Sequence, residues 1–213
     1  MEVIVVRHGR PVIERREEGI ADPGLDEHGD WQAERVSNWL AHEAIDALVS
    51  SPKARAKDTI APLAESLDLP IGVVADFDEI DRNSSVYVPT DIWATHGQDL
   101  LEALMEGRYD DVGYDRPEVF TERVHAAWHD LVAQPPGEKV VLSCHGGTIR
   151  EIIRAVLGDA APTFHVRVEF ASITRIRVEE HRAVLVSLNE TGHFDADRIA
   201  MRGAMNTKST MRP

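Results

Sequence analysis

The sequence predicts an α/β fold, a three-layer α/β/α sandwich in which helices cover both faces of a mainly parallel central sheet. Strand-like and helix-like segments alternate along most of the 213 residues, and such alternation is typical of sheets built from helical crossovers. Residues 3–6 are an unbroken β-branched run, which is typical of a strand buried on both faces. Together the two observations favour one layered α/β domain.

Helix starts are marked by capping residues. Asp26 is a suitable N-cap for the first helix. Ser51 followed by Pro52 combines a hydroxyl cap with a proline at the first helical position, which predicts a second helix start there. Pro62 is expected to kink or split that second helix. The same patterns predict strands at 46–50, 71–74 and 140–142, helices at 118–133 and 148–157, and strand-like stretches at 166–178 and 183–188.

The regular alternation stops between residues 81 and 116, where glycines and prolines interrupt the chain. Connections this long inside a domain usually carry function, so we expect this segment to be a lid that roofs a substrate pocket. A helix is expected there only at 99–105. Residues 1–200 are predicted to form a single domain, and 201–213 lack periodicity and are expected to be a loose tail.

The composition limits the classes of partner. Lys and Arg total 23 and Asp and Glu total 37, a formal charge of −14, so we expect no nucleic-acid and no membrane partner, although a small anionic substrate is compatible with a few local cations. One cysteine, Cys144, excludes an internal disulfide and is typical of a reducing compartment. No stretch approaches the roughly 20 apolar residues of a membrane span, and the predicted location is the cytoplasm.

Cationic and histidine side chains follow three of the predicted strands. Arg7 and His8 follow the first strand, Arg55 lies one helical turn after the second, and His145 and Gly146 follow the strand at 140–142. Ligands bind beyond the carboxyl ends of strands in open α/β sheets. Arginine binds phosphate oxygens bidentately, and imidazole can attack phosphorus. The sequence therefore predicts a phosphate site at this edge of the sheet.

Some of these residue types also have structural interpretations. Arg55 alone would be a solvated helix cation and His145 alone a helix cap, but their joint occurrence at three strand ends favours a site. Cys144 ends an apolar strand, which indicates a buried small hydrophobe rather than a nucleophile. His125 and His129 lie one turn apart, as a zinc pair would. Because no third ligand lies nearby in the sequence, no metal site is expected.

Five stretches form a specific combination, at residues 7–9, 25–33, 50–59, 145–148 and 189–193. Together they resemble the histidine phosphatase superfamily, which has the phosphoglycerate-mutase-like fold, and in particular its phosphatase branch. The resemblance covers the chain from about residue 2 to residue 195. It implies a three-layer α/β fold and an enzyme that transfers phosphoryl groups.

The resemblance also implies roles for individual residues. His8 would attack the phosphoryl group in line and become a phosphohistidine, while Arg7, Arg55 and His145 would bind the non-bridging oxygens together with Gly146. Positioning and electrostatics carry most of this chemistry, and arginines supply both without a metal, so no cofactor is expected. The second ring nitrogen of His8 should be held by an acceptor such as a backbone carbonyl.

A leaving alkoxide needs a proton donor. The family supplies a glutamate after the third strand, and Glu79 matches that position best in this sequence. Asp78 and Asp81 are left open as alternatives. Partial enclosure beneath the lid would raise the pKa of Glu79 toward a useful range.

The chain departs from the family pattern around the pocket. Arg10 and Pro11 stand where many members have an acid or glutamine and then a small hydroxyl residue. The Gly-Trp-Glu-Gly-like and Gly-Glu-Ser motifs of the family are absent, and residues 82–86 and 114–116 stand near their places. These departures leave the substrate open. Candidate substrate contacts are Arg10, Arg82 and Arg116, with Tyr87, Trp93 and His96 as further residues of the roof.

The function that these residues favour is a metal-independent phosphomonoesterase, a histidine acid phosphatase-type hydrolase that acts on a small phosphorylated metabolite. Alternatives are a phosphoglycerate mutase, a non-catalytic phosphate-ligand-binding protein of the same fold, and a phosphoprotein phosphatase. The last needs an open pocket, and a long lid would obstruct the access of a protein substrate to it. A homodimer is left open, through an edge strand or through the helix with Trp31 and Trp39.

Overall fold

The computed structural model of the protein describes residues 1–89, 92–158, 166–180 and 182–195. Its strands are β1 (Glu2–Arg7), β2 (Glu14–Arg15), β3 (Ala47–Ser50), β4 (Ile71–Val73), β5 (Val86–Tyr87), β6 (Lys139–Cys144), β7 (Ile173–Glu179) and β8 (Arg182–Glu190). Its α-helices are α1 (Glu27–Leu40), α2 (Ala54–Leu67), α3 (Trp93–His96), α4 (Gln98–Met105), α5 (Pro117–Ala133) and α6 (Gly146–Leu157). Short 3₁₀ helices lie at Ala75–Phe77, Asp110–Val112 and Gly192–Phe194.

Six strands form the central sheet in the order β4-β3-β6-β1-β7-β8. The first four are parallel to one another, and β7 and β8 are antiparallel to their neighbours. The strands β2 and β5 form a separate two-stranded sheet. The predicted fold class, an α/β sandwich with a mainly parallel sheet, is confirmed.

The β-branched run of β1 supplies the two cores on either side of the sheet. Because successive side chains of a strand point to opposite faces, Val3 and Val5 pack with residues of α5 and α6, whereas Ile4 and Val6 pack with residues of α1 and α2. All four side chains are fully buried. Burial of this kind stabilises the fold by about 1.5–3 kcal/mol for each side chain.

The helix α1 begins where the sequence predicts. The Asp26 side chain accepts the Gly29 N–H at 2.8 Å, and this hydrogen bond satisfies one of the free donors of the first turn. The prediction for α2 is wrong in two respects. The helix begins at Ala54 rather than at Pro52 with Ser51 as its cap, and it is not split at Pro62.

Tertiary contacts explain both differences in α2. The Ser51 hydroxyl is hydrogen-bonded to a histidine ring of the site described below instead of capping a helix. On either side of Pro62, Ile60 and Leu63 are fully buried in the core beneath the sheet. Their burial offsets the hydrogen bond that a proline removes from a helix.

The predicted strand at 166–178 is also too long, because only β7 is extended there. The preceding loop includes Ala171 at a φ of +53°, and its N–H donates to the His8 carbonyl at 3.1 Å. This loop therefore turns toward the carboxyl end of β1 rather than continuing the sheet.

The segment 81–116 has its own small core. Val88, Leu100 and Tyr114 are buried together, and α3 and α4 extend the helical part beyond the residues 99–105 that the sequence predicts. The predicted loose tail at 201–213 lies outside the described residues. None of the helices in the described ranges combines the length and apolar character that a bilayer crossing requires.

Candidate active site

The carboxyl ends of three adjacent parallel strands bring the predicted phosphate ligands to one edge of the sheet. Arg7 ends β1 and His8 follows it, Arg55 lies in the first turn of α2 after β3, and His145 caps α6 directly after β6. A cavity of about 470 Å³ opens at this edge. Of the predicted catalytic and phosphate-binding residues, Arg7, His8, Arg55, Glu79 and Gly146 line it, whereas the fully buried His145 is not among the described residues of the lining.

The His8 ring is oriented by a backbone carbonyl. His8 is 2% exposed, and its Nδ1 lies 2.8 Å from the Gly9 carbonyl oxygen. Because a carbonyl only accepts, Nδ1 donates and the neutral ring keeps its lone pair on Nε2. Burial lowers the pKa of His8 well below its usual 6.5, and the positive charges of Arg55 and Arg7 lower it further. His8 is therefore neutral at neutral pH and carries its lone pair on Nε2.

Arg55 is held from two sides inside the site. Its side chain is 1% exposed, its Nη2 lies 3.5 Å from Asp81 Oδ1, and its guanidinium carbon lies 4.4 Å from the centre of the Tyr87 ring. Arg55 and Asp81 together are neutral, and Arg7 adds a further positive charge to the lining of the cavity. That charge favours an anionic ligand.

Arg7 is fixed by the loop that precedes β7. Its Nη1 donates to the Val168 carbonyl at 2.7 Å, and its guanidinium carbon lies 3.8 Å from the centre of the Phe170 ring. The loop that departs from the predicted strand therefore positions a predicted phosphate ligand.

The second histidine lies against the first. His145 is fully buried, and its ring centre is 5.1 Å from that of His8. Its Nε2 lies 2.7 Å from Ser51 Oγ. Burial, and then the charge of Arg55, lower the pKa of His145 well below 6.5. When the Ser51 hydroxyl donates to Nε2, the neutral ring carries its proton on Nδ1 and can donate it to a ligand.

Three buried nitrogen atoms of these side chains have no hydrogen-bond partner in the described part of the chain. They are Nε and Nη1 of Arg55 and Nδ1 of His145. An unsatisfied buried donor costs about 1–3 kcal/mol, and a ligand oxygen would remove that cost. Gly146, at the N-terminus of α6, adds the positive end of a helix dipole. The arrangement therefore suits the oxygens of a phosphate group.

Glu79 lines the same cavity and is held by two backbone donors. Its Oε2 accepts the Gly147 N–H at 2.7 Å, and its Oε1 accepts the Ile80 N–H at 2.9 Å. Burial raises the pKa of Glu79 above its usual 4.5, and the negative charge of Asp81 raises it further. A carboxyl group with a raised pKa at a cavity wall can donate and accept a proton.

The two alternative acids have other partners. Asp78 lies 3.7 Å from His145 Nε2 and 3.9 Å from Lys53 Nζ, and it is not among the described residues that line the cavity. Asp81 lines the cavity, but it is the carboxylate beside Arg55. Of the three acids, Glu79 is the one that lines the cavity and has no cationic side chain within 4 Å among the described residues.

The three arginines predicted as substrate contacts are not found in the described lining of the cavity. Arg10, Arg82 and Arg116 pair with neighbouring carboxylates, which are Asp26 at 2.6 Å, Asp115 at 3.0 Å and Asp110 at 2.7 Å. In so acidic a chain, ion pairs with neighbouring carboxylates compete with substrate contacts for these arginines. Of the other predicted roof residues, Tyr87 and Trp93 line the cavity, and His96 does not.

Several lining residues were not predicted from the sequence. They include Tyr114, Arg150, Val168, Glu169 and Phe170. Arg150 lies about one turn after Gly146 in α6, so helical periodicity would have found it. The loop residues carry no such signal, because the sequence pattern there resembles a strand.

Cys144 and His125 are not among the described residues that line the cavity. Cys144 is fully buried, and burial raises the pKa of its thiol. His125 Nε2 lies 3.7 Å from Glu151. Within the described ranges, no group of three or more His, Cys, Asp or Glu residues could hold a metal ion.

This sheet brings two histidines and two arginines together at one edge, an arrangement that suits a phosphate ligand. The model of the histidine phosphatase superfamily (branch 1) matches residues 3–191, so the chain belongs to that superfamily. The resemblance inferred from the sequence motifs is thus confirmed. Relatives of the chain include a probable phosphoglycerate mutase and an uncharacterized phosphatase.

Individual relatives cover nearly the whole chain. The chain is 26% identical over 206 residues to the probable phosphoglycerate mutase GpmB of Salmonella paratyphi A, covering 92% of this chain and 96% of that protein. It is 25% identical over 194 residues to the uncharacterized phosphatase PhoE of Bacillus subtilis, covering 90% and 96%. The crystal structure of the alpha-ribazole phosphatase from Shigella flexneri has a TM-score of 0.69 at 18% identity, covering 89% and 96%. That structure supports the fold.

Proposed function

We propose that the protein is a metal-independent phosphomonoesterase that hydrolyses a small phosphorylated metabolite through a phosphohistidine on His8. The observation that carries this proposal is the hydrogen bond from His8 Nδ1 to the Gly9 carbonyl. It leaves Nε2 unprotonated in a cavity that Arg7 and Arg55 also line. The enzyme would be a histidine acid phosphatase-type hydrolase.

The first step forms a bond between His8 Nε2 and phosphorus and breaks the bond between phosphorus and the ester oxygen. The electron pair of the broken bond goes to the leaving oxygen, which takes the proton of the Glu79 carboxyl group. In the second step, water attacks phosphorus and the nitrogen–phosphorus bond breaks. The Glu79 carboxylate accepts the proton of that water, and orthophosphate leaves. Both residues return to their starting states.

Charge stabilisation in both steps would come from Arg7, Arg55 and His145. Preorganised donors aimed at the developing charge are the largest contribution in such transfers. The buried donors of Arg55 and His145 that have no partner in the described ranges support this role. Guanidinium groups thus supply here the charge that metal ions supply in other phosphoryl-transfer enzymes.

The cavity supports a small-molecule substrate. Its volume of about 470 Å³ lies in the usual range for small-molecule sites, and orthophosphate alone would fill only a part of it. The lining also contains four aromatic side chains: Tyr87 and Phe170, which lie against the guanidinium groups of Arg55 and Arg7, and Trp93 and Tyr114. The organic part of the substrate would lie against these side chains.

Phosphoglycerate mutase-type transfer is the alternative function, and the similarity to the probable phosphoglycerate mutase GpmB favours it. A mutase uses the same phosphohistidine but returns the phosphoryl group to a second hydroxyl of the substrate. The two functions differ in whether water reaches the phosphohistidine. Release of orthophosphate therefore separates them.

The test is hydrolysis of para-nitrophenyl phosphate in EDTA between pH 5 and 8, comparing the natural protein with His8→Ala and with His42→Ala, whose histidine is exposed. We expect turnover in the natural protein and the control variant, and none in His8→Ala. Turnover that EDTA abolishes and zinc restores would contradict metal independence. If no orthophosphate is released but phosphoglycerates exchange their phosphoryl position, the protein is a mutase instead.

A further inference from the structure

A buried arginine outside the cavity holds the loop that carries Glu79. Arg123, on α5, donates through Nη1 to the carbonyls of Asp76 at 2.8 Å and Asp78 at 3.0 Å. Its Nη2 donates to the carbonyl of Glu79 itself at 3.2 Å. One guanidinium group therefore fixes the backbone on both sides of the proposed acid.

The guanidinium group is itself fixed by a carboxylate. Arg123 Nη2 lies 2.8 Å from Asp115 Oδ2, and the two side chains are 7% and 6% exposed. The Asp115 N–H donates to the Ile80 carbonyl at 2.7 Å, and its carboxylate also accepts from Arg82 Nε at 3.0 Å. Arg123 and Asp115 thus bind the loop at consecutive carbonyls, from Asp78 to Ile80.

This pair of residues does not touch the reacting atoms. Neither Arg123 nor Asp115 is among the described residues that line the cavity. The loop that carries Glu79 connects β4 to β5, and its one short helix is the 3₁₀ helix Ala75–Phe77 among the described residues. Few of its carbonyls therefore accept the backbone hydrogen bonds of a helix or a strand. A planar guanidinium with donors in a fixed fork suits this task better than an ammonium group.

We propose that Arg123, anchored by Asp115, is a positioning residue that sets the distance of the Glu79 carboxyl group from the leaving oxygen. The inference rests on the proposed function, in which Glu79 is the proton donor. A displacement of about 1 Å in a catalytic group can lower a rate about 100-fold. Loss of the Arg123 guanidinium would therefore slow the cleavage step, in which Glu79 protonates the leaving oxygen, and would spare the steps that need no acid.

The experiment compares two substrates that share a ring. Phenyl phosphate needs a proton on its leaving oxygen, whereas para-nitrophenyl phosphate releases a stabilised phenolate with little help. Arg123→Lys should lower kcat/KM for phenyl phosphate about 10- to 100-fold and for para-nitrophenyl phosphate by no more than about threefold. Arg108→Lys, an exposed arginine paired with Glu106, serves as the control and should change neither value.

A double variant distinguishes positioning from general damage. If Arg123 acts through Glu79, adding Arg123→Lys to Glu79→Gln should change kcat/KM for phenyl phosphate by less than about twofold, because residues that act as a unit are not additive. Equal losses on both substrates in Arg123→Lys, or losses that multiply in the double variant, would overturn the inference. Unfolding temperatures of each variant show whether the fold is intact.

Two further outcomes are distinguishable. If Glu79→Gln loses both substrates equally, Glu79 is not the acid, and the inference falls together with that part of the proposed function. If Glu79→Gln discriminates between the substrates and Arg123→Lys does not, only the inference falls. Should Arg123→Lys unfold, Asp115→Asn replaces it, because that change keeps the shape of the anchor and removes its charge. The same leaving-group split is then expected, and its absence would contradict the proposal.

Discussion

The Glu79 carboxylate accepts the backbone N–H of Gly147 at 2.7 Å, so the proposed acid lies on the N-terminal turn of the helix that follows His145. The fit leaves no room for a side chain at residue 147. A Cβ atom there would overlap Glu79 Oε1 and would lie 2.9 Å from its carboxyl carbon. The requirement for glycine at this position comes from the acid rather than from the helix.

Gly147→Ala is therefore expected to displace the Glu79 carboxyl group and lower kcat/KM for phenyl phosphate by about 10-fold or more. The unfolding temperature should change little, because the obstacle is the end of a side chain that can move. Gly192→Ala is the control, since a Cβ atom at residue 192 meets nothing within 4 Å. Unchanged kinetics in Gly147→Ala would contradict this account of the contact.

The pH dependence of kcat/KM for phenyl phosphate should be bell-shaped. His8 attacks only when neutral, and its pKa is lowered below 6.5, so protonation removes activity only as the pH falls below that value. Glu79 donates only when protonated, and its pKa is raised above 4.5. Activity therefore declines as the pH rises through this raised pKa of Glu79.

Glu79→Gln should lower kcat/KM for phenyl phosphate and remove that alkaline decline, because glutamine does not ionise. The variant also controls for the second ionisation of the substrate phosphate near pH 6, which both proteins share. An identical alkaline limb in the natural protein and the variant would assign that limb to another group.

Arg55→Lys should weaken both turnover and orthophosphate binding. A lysine can replace the charge beside Asp81, but it cannot present the two guanidinium nitrogens that have no partner in the described ranges. Loss of such donors typically lowers kcat by about 100- to 1,000-fold. Inhibition of para-nitrophenyl phosphate hydrolysis by orthophosphate measures the binding part. The exposed Arg154 provides the matched Arg154→Lys control, and an unchanged inhibition constant in Arg55→Lys would contradict the assigned contact.

Gly29→Ala should destabilise the fold. Gly29 lies in the first turn of α1, and a Cβ atom there would overlap the Arg10 carbonyl oxygen, which is backbone and cannot rotate away. Overpacking of this kind costs about 1–3 kcal/mol. Urea unfolding measures the free energy, with Glu34→Ala on the exposed face of α1 as the control. A Gly29→Ala variant as stable as the natural protein would show that the two backbones can separate at no cost.

Local sequence patterns were sufficient to predict the residues at the centre of the site. Arg7 and His8 end a β-branched strand, and Arg55 and His145 lie at the starts of helices that follow two other strands. Because parallel strands end at the same edge of a sheet, their positions along the chain determine their proximity in space. The fold class follows from the same alternation of strands and helices.

Long-range contacts were not predictable in the same way. The hydroxyl of Ser51 looks like a helix cap in the sequence, but its partner is His145, on another strand end. Arg123 looks like any charged residue of a helix, and its carbonyl partners lie in a distant loop. Nothing in the residue types on either side of these contacts encodes the pairing.

The position of β1 in the sheet has a consequence for biosynthesis. Its two neighbours are β6 (Lys139–Cys144) and β7 (Ile173–Glu179), so this apolar strand has no partner until the ribosome has translated β6 and lacks its second partner until β7 follows. Pairing between such distant segments is slow, and an unpaired apolar strand is prone to aggregate. His8, which directly follows β1, therefore acquires its surroundings late in folding, and a nascent chain that stops short of β7 would be catalytically silent.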